Sequence, residues 1–482
     1  MSSMSNMDLT QLQKLKNNEL KEICKNLGIK NYSNKKKIEL ITLITSSTNN
    51  VKEENIIVKP QITTLHESIS MDNDCNFTIA ETFVGCGGSH FGFKKSGFKT
   101  IFINDIWEDA IKSLVQNDNL DENKVICDDI KNLNETYFHD KNINIGNVDV
   151  FIGGVVCKGF SLAGIRNPYD PRNYLYLEQL RLVGILKPKI SIIENVPGML
   201  NMKILEKSDD ITIMKLCSDL NEICEKHKKV RGKLIAENKK LSNILDEKEK
   251  EFLIHTIENT KKEMVLLTQQ RNEIEKTLEN KKYSVVEHIE KLYNELGYDV
   301  YKKILACDDY NCFTSRHRLF IVAIRRDLNI KWEYPTPMTK DKKPIVKEAF
   351  DLIDYDGINN PNVDIDNQPM NHKTGTVEKF KKIKAGIKSD DEYFSRGTSS
   401  RLDLNKPAPT LVPGHSSFQI HPTEHRSITV REGATITGFN INYKFYGSHT
   451  SRCMQIGNAI PVNMAYALAE QCKKILNQVN KS

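Results

Sequence analysis

Apolar residues fall into three patterns along this chain, and each predicts a different kind of element. Short apolar runs recur at Phe77–Phe83, Thr100–Ile103, Val148–Ile152, Lys189–Glu194, Tyr298–Leu305 and Arg318–Ile324. Runs of that length, bounded by Gly, Pro or polar clusters, read as buried strands. Helix-period stretches separate most of them, which predicts an α/β fold with a doubly wound sheet over 77–330. The second pattern is a sustained 3-4 repeat: Ile213, Leu216, Leu220, Ile223, Val230, Leu234, Leu241 and Ile244, then Leu253, Ile257, Met264, Leu267, Ile274 and Leu278. Such a repeat predicts a coiled coil. Because a strand follows at Tyr298, it should be an antiparallel hairpin inserted at 204–282, turning near Asp246–Glu251, with arms of roughly 45 Å. His227, Glu237 and Arg271 interrupt its seam and either set register or weaken it. The hairpin is expected to be an appendage whose flanking ends, near Leu200 and Tyr283, lie close together. The third pattern is irregular and punctuated by Pro335, Pro337, Pro344, Pro361 and Pro369. It predicts a small separate lobe over 331–440, after which 441–482 returns to the sheet domain through an apolar-periodic helix, Cys453 to Val479.

The N-terminal segment 8–46 predicts a compact helical module. Leu20, Ile23 and Leu27 recur at helical spacing and Gly28 supplies a stop. A turn at Asn31–Asn34 leads to a second helix with Ile38, Ile41 and Ile44 on one face and Lys35, Lys36 and Lys37 at its start. Two short helices with a basic start resemble the SAP motif, a DNA-binding family. A helical docking module with a solvated lysine cluster accounts for the same residues. Residues 47–76 are polar and aperiodic, and predict a flexible linker.

Composition narrows the setting more than the chemistry. The formal charge of +6 over 482 residues permits a polyanionic partner without requiring one. Eleven cysteines show neither metal-type pairing nor a disulfide-like framework, which predicts a reduced intracellular protein without a metal site. No apolar run is long enough to span a bilayer and no secretory apolar region opens the chain.

Candidate chemistry gathers at the ends of the predicted strands, where open α/β sheets bind ligands. Thr82-Phe83-Val84-Gly85-Cys86-Gly87-Gly88 follows the first strand, and its glycines permit close backbone approach. Asn104-Asp105-Ile106-Trp107 follows the second, with an acid suited to ribose hydroxyls. Asp128-Asp129-Ile130 follows, suited to an adenine amine. In this order the three describe a nucleoside-binding edge. No Gly-x-x-x-x-Gly-Lys loop is present, which argues against a nucleoside triphosphate. Cys157 sits just past the strand at Val148–Ile152, as a reactive thiol or as a small residue packed behind a turn. Glu194 closes an apolar strand, as a candidate acid or as a buried partner of an arginine. Arg316 and Arg318 stand at the start of the last strand, near the acid or as surface salt bridges.

With these motifs in this order the chain resembles the DNA (cytosine-5) methyltransferases. The resemblance rests on Phe83–Gly88, Asp105, Asp129, Gly154–Ser161, Asp170–Leu175, Glu194-Asn195-Val196, Arg316-His317-Arg318, Lys406-Pro407-Ala408-Pro409-Thr410, Thr429-Val430-Arg431-Glu432 and Gly457-Asn458. It implies a class I methyltransferase sheet, a target-recognition lobe, S-adenosylmethionine as donor and duplex DNA as substrate. It implies that Cys157 adds to carbon 6 of cytosine, that Glu194 acts at nitrogen 3, and that Arg318, with Arg316, holds the carbonyl oxygen. Around the donor it places Phe83, Cys86, Gly88, Asp105, Ile106, Trp107, Asp129, Ile130, Leu175 and Asn458. The sequence departs from the family at Val156 and Lys158, where Pro and Gln are usual, and at Phe313 and Thr314, where Pro and Gln are usual. A tRNA cytosine-5 methyltransferase and a catalytically impaired DNA-binding protein are the alternatives. The compartment implied is whichever holds the DNA, and the coiled coil offers a surface for self-association or a protein partner.

Overall fold

The computed structural model describes residues 16–26, 37, 40–41, 76–155, 171–205, 210–241, 246–339, 341–355, 358–386, 400–412 and 418–480. They fall into two compact units, Met1–Ile69 and Ser70–Ser482. In the first, helix α1 (Asn17–Asn26) buries Leu20 and Cys24. The turn expected at Asn31–Asn34 and all but the last residue of the linker expected over 47–76 lie outside the described residues.

The second unit alternates strands and helices in chain order. It begins with β1 (Thr78–Thr82), α2 (Gly88–Lys95), β2 (Lys99–Asn104), α3 (Glu108–Asn117), β3 (Val125–Ile126), α4 (Glu135–Asp140) and β4 (Val150–Gly154). Next come α5 (Leu175–Leu186), β5 (Ile190–Asn195), β6 (Lys203–Leu205), α6 (Ile211–Leu241), α7 (Glu247–Leu278), β7 (Lys282–Ser284) and α8 (Val285–Glu295). The chain ends with β8 (Tyr298–Ala306), β9 (His317–Arg325), α9 (Val346–Phe350), α10 (Thr374–Lys382), α11 (Val430–Thr437), α12 (His449–Asn458) and α13 (Val462–Val479). The main sheet runs β3-β2-β1-β4-β5-β9-β8. β3, β2, β1, β4 and β5 are parallel, whereas β9 is antiparallel to both of its neighbours. The chain winds outward from β1 to β3 and then returns to β4, so the crevice at the carboxyl ends of β1 and β4 is the switch point where such sheets bind ligands.

Strand periodicity divides the core into two layers. Ile193 on β5 faces a cluster with Phe138 of α4, Tyr176 and Leu180 of α5, and Tyr293 of α8. Ile190 and Ile192 face the opposite cluster, with Phe93 of α2 and Met464, Leu468 and Cys472 of α13. Helices α2 and α13 touch backbone to backbone because two glycines face the contact. A Cβ on Gly88 would lie 2.1 Å from the Ile460 carbonyl, and one on Gly92 would lie 2.4 Å from the Ala465 Cβ.

The heptad segment forms the helix pair α6 and α7, whose buried positions include Leu220, Val230, Ile257, Leu267 and Leu278. Glu237 and Thr260 are buried in the same seam, so the interruption at Glu237 sits inside the contact. α6 ends at Leu241 and α7 begins at Glu247, inside the Asp246–Glu251 stretch where the turn was expected, and 242–245 lie outside the described residues. The Asp246 carboxylate caps α7 by accepting from the Lys248 and Glu249 amides, and a capping Asp ahead of Glu247 is a helix start. At the root, β6 pairs antiparallel with β7, Ile204 opposite Tyr283.

The irregular lobe does not have a core of its own. Val346, Phe350, Phe418 and Ile436 share one cluster with Cys86, Ile456 and Val462, which runs across the boundary expected at 440. Trp332 is buried with the sheet domain, so the boundary expected at 331 is crossed as well. The stretch Thr429–Glu432 is a capping box for α11. The Glu432 amide donates to Thr429 Oγ1 at 3.1 Å, and the Thr429 amide to Glu432 Oε2 at 2.7 Å.

Candidate active site

The loop after β1 is built for close approach. Phe83 has φ 52°, an unusual cost for a residue with a side chain, and Gly85 and Gly87 follow at 56° and 87°. A Cβ on Gly85 would meet nothing within 4 Å, so open space faces this glycine. Asp105, just past β2, holds the loop with both oxygens. Oδ2 accepts from the Gly85 amide at 2.8 Å, and Oδ1 from the Trp107 amide at 2.9 Å. Burial raises the Asp105 pKa, and the amides of Trp107, Gly85 and Ile106 oppose that rise. Ile106 beside it is 69% exposed, an apolar surface at the rim of the crevice, and Trp107 is half-buried at the start of α3. Asn104 donates to the carbonyls of Ile126 and Asp128 at 3.1 and 2.8 Å, which brings the Asp129 segment to the same edge. Asp129 is half-buried and caps the turn that contains the buried Ile130.

Two expected donor contacts face elsewhere. The Cys86 thiol is buried against the Gln455 carbonyl at 3.5 Å, and its own carbonyl accepts from the Tyr443 hydroxyl at 2.6 Å. Burial holds that thiol far above the ordinary range. Gly88 is spent on the contact with Ile460. Of the remaining two, Leu175 is half-buried at the first position of α5, and Asn458 is exposed at the end of α12.

Acid and arginine meet at the next strands. Gly154 and Phe320 flank Glu194 in register, on β4 and β9. Glu194 is 7% exposed, and its Oε1 lies 2.8 Å from Arg318 Nε. The pair is close but poorly aligned, so Oε1 accepts no hydrogen bond from any described residue. A buried carboxylate oxygen left without a donor marks a place for one. Asn195 donates from Nδ2 to the Val155 carbonyl at 3.1 Å and so fixes the last described residue before Cys157. Val156, Cys157 and Lys158 themselves lie outside the described residues.

Arg316 is buried and turned to α12, donating to the carbonyls of Gly457 at 2.6 Å and Asn458 at 3.3 Å. Thr314 is buried in a parallel bridge to Ala408. The Ser315 amide donates to the Ala408 carbonyl, and the Ala408 amide to the Phe313 carbonyl, both at 2.8 Å. The Lys406–Thr410 stretch therefore lies alongside the arginines. A second thiol, Cys307, sits behind them. Burial pushes its pKa up to about 12, against the pull of Arg316 and Arg318, so it is no thiolate at neutral pH.

One buried network was not expected from sequence. His90 of α2 bridges Glu81 at 2.9 Å and Asp118 at 2.7 Å, and Ser89 also donates to Glu81 at 2.7 Å. Lys94 completes it through Asp118. These residues brace α2 directly behind the β1 loop. Among the described residues no group of His, Cys, Asp and Glu could hold a metal ion, and no helix is long and apolar enough to cross a membrane.

Comparison with known proteins gives consistent matches. The family profile described as C-5 cytosine-specific DNA methylase matches residues 77–223 and 273–474, and leaves out only the outer part of the hairpin between them. Residues 11–48 match the profile of the Rho termination factor N-terminal domain rather than that of the SAP motif. The Type II methyltransferase M.DdeI of Desulfomicrobium norvegicum is 26% identical over 454 residues, covering 83% of this chain and 90% of that protein. The Type II methyltransferase M.MthTI of Methanothermobacter thermautotrophicus is 26% identical over 419 residues, covering 84% and 99%. A crystal structure described as a DNA modification methyltransferase encoded within an E. coli prophage shares the fold. Its TM-score is 0.54 at 21% identity, covering 83% of this chain and 99% of that one.

Proposed function

The chain belongs to the C-5 cytosine-specific DNA methylase family and is a DNA cytosine-5 methyltransferase, and we propose that it acts on duplex DNA through a covalent adduct of Cys157. The observation that carries this reading is the buried Glu194 oxygen without a hydrogen-bond donor among the described residues, beside Arg318, where β5 and β9 pair. Carbon 5 of cytosine is too weak a nucleophile to take a methyl group unaided. Addition of the Cys157 thiolate to carbon 6 makes carbon 5 enamine-like, while Glu194 gives a proton to nitrogen 3 and accepts from the exocyclic amine. Arg318 bears on the carbonyl oxygen as charge develops. Carbon 5 then takes the methyl group, its proton is lost to a base, the carbon–sulfur bond breaks to free Cys157, and nitrogen 3 returns its proton to Glu194. A target inside a duplex has to be flipped out of the stack to reach these groups.

The crevice fits S-adenosylmethionine, which supplies an electrophilic methyl group when bound. Asp105 suits the ribose hydroxyls, Ile106 the adenine face and Asp129 its amino group. Gly85 leaves room for the chain, whereas Cys86 and Gly88 contribute backbone and packing. Arg316 works at one remove by holding the Gly457–Asn458 turn. In the N-terminal module, Lys35, Lys36 and Lys37 are suited to a nucleic-acid backbone.

Incubation with labelled donor and either DNA or tRNA tests the substrate, and transfer to tRNA alone would overturn this reading. Duplex carrying 5-fluorocytosine should become covalently trapped on wild type and not on Cys157→Ser, which should still bind DNA. Normal turnover by the serine variant would remove Cys157 from the mechanism.

A further inference from the structure

The helical arm carries charge that the catalytic reading does not use. Residues 226–241 hold seven lysines and arginines against one glutamate, a formal +6 that equals the charge of the whole chain. The stretch lies inside 224–272, which the family profile leaves unmatched. Coiled-coil surfaces ordinarily mix the two signs, as α7 does with six basic and seven acidic residues.

The seam decides where this charge points. Leu220, Val230 and Glu237 face α7, so Lys226, Lys229, Lys233 and Lys240 fall along one exposed flank of α6. Lys226 pairs with Glu222 at 2.7 Å, and Lys233 lies 3.8 Å from Glu237. Lys229 and Lys240 have no carboxylate partner among the described residues. At the tip, Lys240 and Lys248 line an open cleft with Phe252, whose ring is 74% exposed. The arm is rooted on the catalytic edge of the sheet. After Glu194 and Asn195 end β5, a single turn at Pro197–Asn201 leads to β6. The Tyr174 hydroxyl ties β6 to the segment before α5 by donating to the Leu205 carbonyl at 2.7 Å.

We propose that the lysine flank of the arm binds the sugar–phosphate backbone of the DNA being methylated, outside the target site. This rests on the reading of the protein as a DNA methyltransferase. Lys226, Lys233 and Lys240 succeed one another every two turns, roughly 10 Å apart, a lattice of single charges against a duplex with one phosphate per ~1.7 Å of axis. A second copy of the chain would bring the same basic flank and is disfavoured as the occupant. The 31 residues of α6 reach roughly 45 Å, about 13 base pairs of duplex.

The test uses the full chain and the variant Lys229→Gln/Lys233→Gln/Lys240→Gln/Lys248→Gln, whose changes are exposed and leave the seam intact. Circular dichroism and light scattering should match wild type. Binding is measured by fluorescence anisotropy against salt, on duplexes of about 14 and about 40 base pairs centred on the site, so that flanks of roughly 7 base pairs fall short of the arm's reach and flanks of roughly 20 exceed it. Both carry a target site found beforehand by bisulfite sequencing of DNA exposed to wild type, or an arbitrary sequence if none is found. The variant should bind the long duplex about tenfold more weakly, with a slope of log affinity against log salt flatter by roughly 3. Binding and methylation of the short duplex should be unchanged. Equal affinity of variant and wild type for the long duplex overturns the proposal, as does an equal loss on both lengths. If wild type methylates no DNA yet shows a length preference that the variant loses, the arm's role stands and the catalytic reading falls.

Discussion

Glu194→Gln isolates the acid from the fold. Glutamine keeps the length of the side chain and one oxygen for Arg318, but it carries no proton for nitrogen 3. Two effects are expected, and they differ in size. Losing the ion pair also removes the cost of burying a carboxylate, so stability should fall by only about 1–2 kcal/mol. That is a melting shift of a few degrees. Losing a positioned general acid should cut the chemical step by about 10²–10⁴-fold, or roughly 3–5 kcal/mol of barrier. Donor affinity should hold, because the donor cradle is formed by the β1 loop and Asp105, with Glu194 two strands away. Single-turnover methyl transfer with enzyme in excess over duplex measures the step, calorimetry the donor affinity, and scanning fluorimetry the stability. A rate within about threefold of wild type would refute the acid assignment, since a proton donor of this kind is worth at least a hundredfold. A melting loss much above ten degrees with loss of donor binding would instead make Glu194 a structural residue.

Asp105→Ala takes acceptors from the Gly85 and Trp107 amides as well as from the ribose. Donor affinity by calorimetry should fall by about 1.5–3 kcal/mol while DNA binding holds. Gly88→Ala drives a Cβ to 2.1 Å from the Ile460 carbonyl, a backbone clash costing about 3 kcal/mol or more. Gly85→Ala, by contrast, meets no atom and costs about 1–2 kcal/mol for its left-handed φ, so equal melting temperatures for the two would defeat the packing reading. For His90, burial lowers the pKa, but hydrogen bonds to Asp118 and Glu81 outweigh it and hold the imidazolium at about 9. The folded value lies above the ordinary 6.5, so this stabilisation is complete below pH 6.5 and is lost as pH rises through 9. It is worth roughly 3 kcal/mol or slightly more, and His90→Gln should flatten the fall of melting temperature across that window.

The central strands were legible because each is an apolar run buried on both faces, as Ile190–Asn195 is. The same runs conceal direction, so nothing in Arg318–Ile324 announced that β9 opposes β5. β3, with two residues and no period, was marked only by the strand-end motif Asp128-Asp129-Ile130 that follows it. In the site, Asp105 was readable from its place after a strand. The glycine-rich loop was readable as a loop, but its letters do not tell which glycine faces a ligand and which faces a helix. A Cβ on Gly85 would meet nothing within 4 Å, whereas one on Gly88 would meet Ala459 and Ile460, far away in sequence between α12 and α13. The Glu81–His90–Asp118 network was out of reach for the same reason, since each member alone reads as an ordinary helix or strand-end residue.

The departures at Phe313 and Thr314 can now be weighed by what their backbone does. The segment runs straight into β9, which carries Arg318 to Glu194. It is stitched to the lobe by the Phe313, Ser315 and Ala408 bonds and to α12 by the Arg316 side chain. Two of those links use main-chain atoms at positions 313, 315 and 408, and the other two use the Arg316 guanidinium. None of them needs a Gln or Pro side chain, and the Thr314 hydroxyl adds only a long contact to Pro409 at 3.4 Å. The consequence is mechanical. The lobe, α12 and Arg318 are fastened to one short stretch of chain, so a shift of the lobe is expected to reach the Arg318–Glu194 pair through it.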